Sequence, residues 1–369
     1  MDRIQIAVPI FNGNEKKYLM ECIDTGWVSA NGRFINEFQE KFARFCGTKY
    51  AVACSNGTVT LHLILKAMGI GPGDEVIMPT LTYVATANAV AECGATPVFV
   101  DSDADTWNID PEKVEDAITE KTKAIIPVHL YGLSCDMDAL GNIAKKYDIA
   151  IVEDAAEAHG AEWNGKKVGS MGLAGSFSFF GNKIITSGEG GMIVTDDTDL
   201  YNQITLLRSQ GVDPSKRYWH VCKAYNYRMT NMQAAVGLGQ LENIDWHLKE
   251  RKRVSDYYKK LLLDKLNGYV NIQKVDDESN HVYWMNSIVL TDKVKKSRDE
   301  VMKAMEARNI EMRPLFYPMH VMPPYLDTSK KYPVAEKLSA NGINLPSHSL
   351  MDEEKIEYVV GSLQEIICD

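Results

Sequence analysis

The feature that most constrains this chain is a rhythm between residues 51 and 154, where short apolar runs alternate with stretches of helical spacing. Ala51–Ser55, Val76–Pro79, Pro97–Asp101, Ala124–Leu130 and Ile149–Asp154 read as strands. Thr58–Met68, Tyr83–Cys93, Asp110–Thr119 and Met137–Tyr147 read as helices, the third with Pro111 at a first helical position. Continuous apolar strands between amphipathic helices mean strands buried on both faces, hence a parallel or mostly parallel sheet covered by helices. Such sheets bind ligands beyond the carboxyl ends of their strands. Three groups stand at strand ends here: Ser55-Asn56-Gly57-Thr58, Tyr83 and Asp154.

The texture changes at about Asn243. Residues 243–265 form a long charged amphipathic helix, followed by a strand over 282–290 and a helix over 296–308. A loop rich in proline and aromatics (313–325) and a terminal helix (353–367) complete the chain. The expectation is an α/β large domain over 1–242, with a mostly parallel sheet, and a smaller α+β domain over 243–369.

Composition narrows the function. A content of 45% hydrophobic and 24% charged residues is that of an ordinary globular protein. The net charge of −10 argues against a nucleic-acid backbone or an anionic membrane as main partner, while leaving room for a local basic pocket for a phosphorylated ligand. The apolar runs are too short to span a membrane, and the N-terminus lacks the apolar core of a signal peptide. Seven scattered cysteines without a CxxC pair read as reduced thiols, which places the protein in the cytoplasm. The eight histidines form no HExxH or HxxxH pair, so no metal is expected.

The stretch Ala174–Gly191, AGSFSFFGNKIITSGEGG, sets Lys183 between alternating small and aromatic residues and a glycine cluster. Read alone, Lys183 is an ordinary surface lysine at a strand end. Held on a rigid turn against apolar walls, it would instead lose proton affinity and present a neutral amine to a carbonyl. GAEWNGKK (160–167) has the outline of a phosphate-binding P-loop, but Lys167 stands where a hydroxyl should hold magnesium; it reads better as a hairpin turning at Asn164-Gly165. Ser55–Thr58 at a helix start is either a plain N-cap or a cradle for phosphate. Asp154 ends a buried strand, where a carboxylate needs a cationic partner. A lysine for an aldehyde, a carboxylate for a ring nitrogen, a phosphate cup and a flat ring are the joint requirements of one cofactor, pyridoxal 5'-phosphate.

The stretches SFSFFGNKIITSGEGG, IVEDAAEAHG, SNGTVTLHL, PTLTYVATANAV and YNYRMTNMQAA resemble the DegT/DnrJ/StrS family of nucleotide-sugar aminotransferases, and the resemblance covers essentially the whole chain. It implies the aspartate-aminotransferase-like fold, type I of the pyridoxal phosphate enzymes, with a large domain of seven-stranded type. TGWVSANGRFI, GVDPSKRYWHVCKAYNYRMTN, RPLFYPMH and GINLPS are most similar to members that move an amino group from L-glutamate to the C4 ketone of GDP-4-keto-6-deoxymannose, for use in O-antigen or other glycoconjugates. Members acting on dTDP-4-keto-6-deoxyglucose or on 3-ketosugars are the alternatives within the family, and a non-catalytic sensor on the same fold is the distant one. By resemblance, Lys183 matches the lysine that binds the cofactor aldehyde, Asp154 the partner of the ring nitrogen and Glu157 the position beside the ring hydroxyl. Gly57, Thr58 and Ser178 match the phosphate cup, and Tyr83 the stacking aromatic. Asn226 matches an asparagine that reaches the phosphate of the neighbouring subunit, which implies a homodimer with shared sites. Trp27, Arg228, Arg313, Tyr317 and His320 fall in segments that line the substrate side.

Overall fold

The computed structural model describes residues 2–368. Its centre is a seven-stranded sheet whose strands are β1 (Tyr50–Cys54), β2 (Glu75–Pro79), β3 (Thr96–Val100), β4 (Thr122–Ile125), β5 (Ala150–Asp154), β8 (Ala174–Ser178) and β9 (Gly191–Thr195). They lie in the order β1-β9-β8-β5-β4-β2-β3, and β9 alone runs against its neighbours. Between β5 and β8 a hairpin of β6 (Glu162–Trp163) and β7 (Lys166–Lys167) turns through Asn164 and Gly165, both at positive φ. That is the chemistry of a tight two-residue turn, not of a phosphate loop.

Helices cover both faces: α1 (Glu15–Thr25), α2 (Arg33–Cys46), α3 (Gly57–Ala67), α4 (Val84–Glu92), α5 (Pro111–Asp116), α6 (Met137–Tyr147), α7 (Thr198–Arg208) and α8 (Asn231–Glu242). The expected helix 110–119 stops at Asp116, because the last turn tightens to Ala117–Val114 and Ile118–Glu115 backbone bonds. The expected strand 124–130 ends at Ile125; Pro127 has no N–H for the ladder, and the chain continues beside β5 only through single bonds such as His129 N–H to the Asp154 carbonyl (3.1 Å).

The long helix α9 (Ile244–Lys265) follows α8 across Asn243. A second, antiparallel sheet is built from β10 (Val270–Ile272), β12 (Asn286–Leu290), β13 (Arg313–Pro314) and β14 (Gly342–Leu345), in the order β10-β12-β14-β13. It is backed by α10 (Arg298–Glu306), α11 (Pro333–Asn341) and α12 (Glu353–Ile367). The short strand β11 (Ser279–Asn280) leaves this sheet to pair with β6. The N-terminus also joins this half: the Ile4 N–H bonds the Asn309 carbonyl (2.8 Å), and the Ser347 N–H bonds the Ile6 carbonyl (3.0 Å). No helix among the described residues is long and apolar enough to cross a membrane.

The expected strand 282–290 is only half a strand. Tyr283 sits at φ 52°, outside the extended region, and residues 282–285 bend away to bond the 131–132 backbone (Val282 N–H to the Gly132 carbonyl, 3.1 Å). Gly132, at φ 102°, admits them; a Cβ there would stand 3.0 Å from the Trp284 nitrogen.

Candidate active site at the carboxyl ends of the sheet

Three expected residues converge where β5 and β8 end. Asp154 closes β5; Glu157 follows on the next turn, and Lys183 lies in the connection from β8 to β9. Lys183 Nζ is 3.9 Å from Glu157 Oε1, too far for a hydrogen bond, and the lysine side chain is 12% exposed. Burial holds the amine below the ordinary lysine value, opposed by the nearby Glu157 and Asp154 charges.

Asp154 is buried, and no lysine, arginine or histidine among the described residues forms an ion pair with it. The arginine that such a carboxylate ordinarily finds is not there. Its oxygens accept from the Thr86 hydroxyl (2.8 Å) and the Ala156 N–H (3.2 Å). Burial pushes its pKa up, against the pull of those bonds and of Lys183 and His129. Glu157 is buried too and accepts from the Tyr131 N–H (2.8 Å); burial raises it to about 7, with Lys183 opposing. One amine thus faces two carboxyl groups, neither held by a close cation. That arrangement is costly unless something positive arrives.

The cup lies beside them. Asn56 Oδ1 caps α3 by accepting from the Val59 N–H (3.0 Å), and the Gly57 and Thr58 N–H groups of the first turn have no intrahelical acceptor. Gly57 packs on Ser178: a Cβ at Gly57 would stand 2.7 Å from the Ser178 Cβ. Of the two readings of this stretch, the structure shows the N-cap, made by Asn56, and sets Gly57, Thr58 and Ser178 beside the helix start.

Tyr83, 58% exposed, caps the start of α4 and meets Phe316 at a ring-centroid distance of 5.8 Å. Phe316 packs on Tyr131 (5.3 Å), Tyr131 on Trp284 (6.2 Å), and the Trp284 ring lies 4.0 Å from Lys183 Nζ. A continuous aromatic wall therefore joins Tyr83 to the lysine. Phe316, Tyr131 and Trp284 were absent from the expected site. Phe316 lay within the quoted RPLFYPMH; nothing local marks Trp284.

The remaining expected residues lie further out. Asn226 is exposed, its side-chain oxygen accepting from Arg228 Nε (3.0 Å). Trp27 is exposed, Arg313 pairs with Glu311 (3.2 Å), and the Tyr317 hydroxyl takes an Arg298 N–H (3.3 Å). His320 is buried, with Nδ1 against the Thr80 hydroxyl (2.9 Å) and Nε2 against Glu336 (3.1 Å). Its ring ties the strand end that carries Tyr83 to α11 and has no nitrogen free for a ligand.

Glu153, the first acid of IVED, points to the other face and does a different job. Its Oε1 accepts from the N–H groups of Met171 (2.7 Å) and Gly172 (2.6 Å), and its Oε2 from Gly169 (2.6 Å) and His129 Nε2 (3.1 Å). It pins the turn that feeds β8, and so the register of Ser178 and Lys183.

Comparison with known proteins agrees with this geometry. The model of the DegT/DnrJ/EryC1/StrS aminotransferase family matches residues 9–364. The chain is 51% identical to GDP-perosamine synthase of Caulobacter vibrioides over 368 residues, 100% of this chain and 99% of that one. It is 45% identical to GDP-perosamine synthase of Escherichia coli O157:H7, over 100% of both. Among solved structures, the PLP-form of the putative sugar aminotransferase Spr1654 from Streptococcus pneumoniae superposes with a TM-score of 0.92 at 28% identity, over 99% of this chain and 98% of that one. The chain belongs to the DegT/DnrJ/EryC1/StrS aminotransferase family.

Proposed function

We propose that the protein transfers the amino group of L-glutamate to the C4 ketone of GDP-4-keto-6-deoxy-D-mannose, giving GDP-perosamine for a surface polysaccharide such as the O-antigen of a lipopolysaccharide. It is a pyridoxal phosphate-dependent sugar aminotransferase of fold type I. The observation that carries this reading is the buried, cation-free Asp154 beside an amine of depressed proton affinity, at the carboxyl end of one sheet. A protonated ring nitrogen is the cation that Asp154 lacks. The Asn182 side-chain oxygen, next to Lys183, is likewise buried without a partner. The nucleotide and the C4 position rest on the two perosamine relatives.

Lys183 would hold the cofactor aldehyde, Asp154 its ring nitrogen and Glu157 its ring hydroxyl. Gly57, Thr58 and Ser178 would hold its phosphate, and Tyr83 would cover its ring. When bound, the cofactor supplies an electron sink for the carbanion formed at Cα. Lys183 Nζ takes the Cα proton from the donor and delivers it again; burial lowers its proton affinity, opposed by Glu157 and Asp154. Asp154 keeps the ring nitrogen protonated, since an ionised carboxylate there is stable only opposite a cation. Trp284 and Tyr131 exclude water from the lysine side.

We infer a homodimer in which Asn226 of the partner subunit reaches the phosphate cup; the exposed Asn226–Arg228 pair and the exposed Phe180, Tyr218 and Trp219 support it. Trp27, Arg228, Arg313 and Tyr317 are assigned to the substrate side, and His320 to holding the segment that carries Tyr83. Residues 1–242 would carry the cofactor, and 243–369 would cover it. The scattered cysteines, with no CxxC pair, support the cytoplasm as its compartment.

The test is the visible spectrum of the purified protein. A yellow band that bleaches with L-glutamate and returns with GDP-4-keto-6-deoxymannose is expected. Return only with the dTDP-linked sugar, or only with a 3-ketosugar, would replace the acceptor; no band after incubation with pyridoxal phosphate would overturn the reading.

A further inference from the structure

Trp284 reaches Lys183 from the second half of the chain and is held there at both its side chain and its backbone. Its indole Nε1–H donates to the carbonyl of Asn182 (2.8 Å), the residue immediately before the lysine. Its own carbonyl accepts from Arg251 Nη1 (3.0 Å), which also serves the carbonyls of Tyr283 (3.4 Å) and Ser347 (3.1 Å). Arg251 is 5% exposed and forms no ion pair among the described residues; its Nη1 serves these three backbone oxygens. The indole face lies 4.0 Å from Lys183 Nζ, and its other neighbour is the near-parallel ring of Tyr131. The backbone of 282–285 has left its strand to make this contact.

We propose that Trp284 is a positioning residue for Lys183: its N–H fixes the turn that aims the amine, and its face stabilises the amine while it carries a proton. This rests on Lys183 as the proton carrier of the aminotransferase reading. A ring face favours the ammonium over the amine, most strongly where water is excluded. Trp284 therefore offsets part of the burial that lowers the lysine's proton affinity. Without that offset, the amine gives up its proton readily but holds it poorly during the return step.

The test separates this role from the cofactor chemistry. In cofactor-free protein, acetylation of Lys183 by acetic anhydride is followed against pH by peptide mass spectrometry, for wild type, W284F and W284L. The W284L midpoint is expected to fall by about one pH unit, tenfold in the protonation equilibrium, while W284F, which keeps a face, stays near wild type. In the loaded enzyme, kcat of W284L is expected to fall at least about tenfold, with both KM values within about twofold. W284F should recover much of that loss, the remainder measuring the Asn182 bond. A W284L midpoint that stays or rises, or a loss confined to KM, overturns the proposal. If circular dichroism shows W284L unfolded, W284M of similar volume takes its place under the same criteria. A wild-type protein that never turns yellow would fail the functional reading instead, and leaves the acetylation midpoints to decide this one.

Discussion

Glu153→Gln is the substitution whose cost follows most directly from geometry. The Cys135 N–H donates to His129 Nδ1 (3.1 Å), which puts the imidazole proton on Nε2, aimed at Glu153. Four donors, two buried and two part-buried, thus converge on two carboxylate oxygens. An amide keeps one oxygen and turns a donor toward the other pair, either Met171 and Gly172 or Gly169 and His129. Whichever way it flips, two of these donors lose their acceptor. At about 1–3 kcal/mol for each, the turn loses about 4 kcal/mol. At about 1.4 kcal/mol per tenfold, the amides of 169–172 should exchange with deuterium about a thousandfold faster than in wild type. Hydrogen-exchange mass spectrometry on a peptide spanning 169–172 reads this, with peptides of α12 as the internal control. Acceleration below about fivefold would show that the turn does not depend on the carboxylate, and the account of Glu153 would have to be withdrawn.

Asp154→Ala should leave folded protein that binds pyridoxal phosphate weakly or without activity; turnover near wild type would remove it from the site. Gly57→Ala drives a Cβ to 2.7 Å from the Ser178 Cβ, so the helix start must shift; stability should fall by about 1–3 kcal/mol, and the affinity for pyridoxal phosphate at least about tenfold. An unchanged dissociation constant would mean the phosphate binds elsewhere. Glu157 is raised from 4.5 to about 7, so the folded protein binds its proton more tightly than the unfolded chain does. Its contribution is therefore neutral below about pH 4.5 and becomes destabilising as pH rises to 7, by roughly 3 kcal/mol. Glu157→Gln should flatten the decline of cofactor-free stability over that window, as read by urea titrations at a series of pH values; parallel curves would refute it.

Strands β1 to β5 of the large sheet were legible as short apolar runs between helices, whereas β9, which runs against its neighbours, was not read as a strand. The convergence of Lys183, Asp154 and Glu157 was legible because strand ends in such a sheet are where ligands bind, and because their motifs resemble a family. Helix α8 was not read as a separate element. It is buried nearly all round, so it shows no polar face, and Gly237 and Gly239 look like breakers although they allow close packing: Cβ atoms there would meet Phe38 and the Glu15 backbone. Trp284 was hidden for a different reason. It sits 101 positions beyond Lys183, in a run whose composition says strand, and only the left-handed Tyr283 and the Gly132 contact turn it away. Glu153 was seen but lost beside its neighbour, since two adjacent acids on a strand look alike until the sheet sends them to opposite faces.

The hydrogen bonds of the N-terminus set an order on synthesis. Ile4 and Ile6 take their partners from Asn309, Glu311 and Ser347. Residues 4 and 6 therefore lack these partners until residues 309–347 have been made, and the roof over Lys183 is itself added only when residues 282–285 emerge. Chain closure of that span raises the entropic barrier before any contact rewards it. Without residues 282–285, Lys183 would lack the indole that lies 4.0 Å from its Nζ. The late-arriving half thus serves as the molecule's own seal of completion.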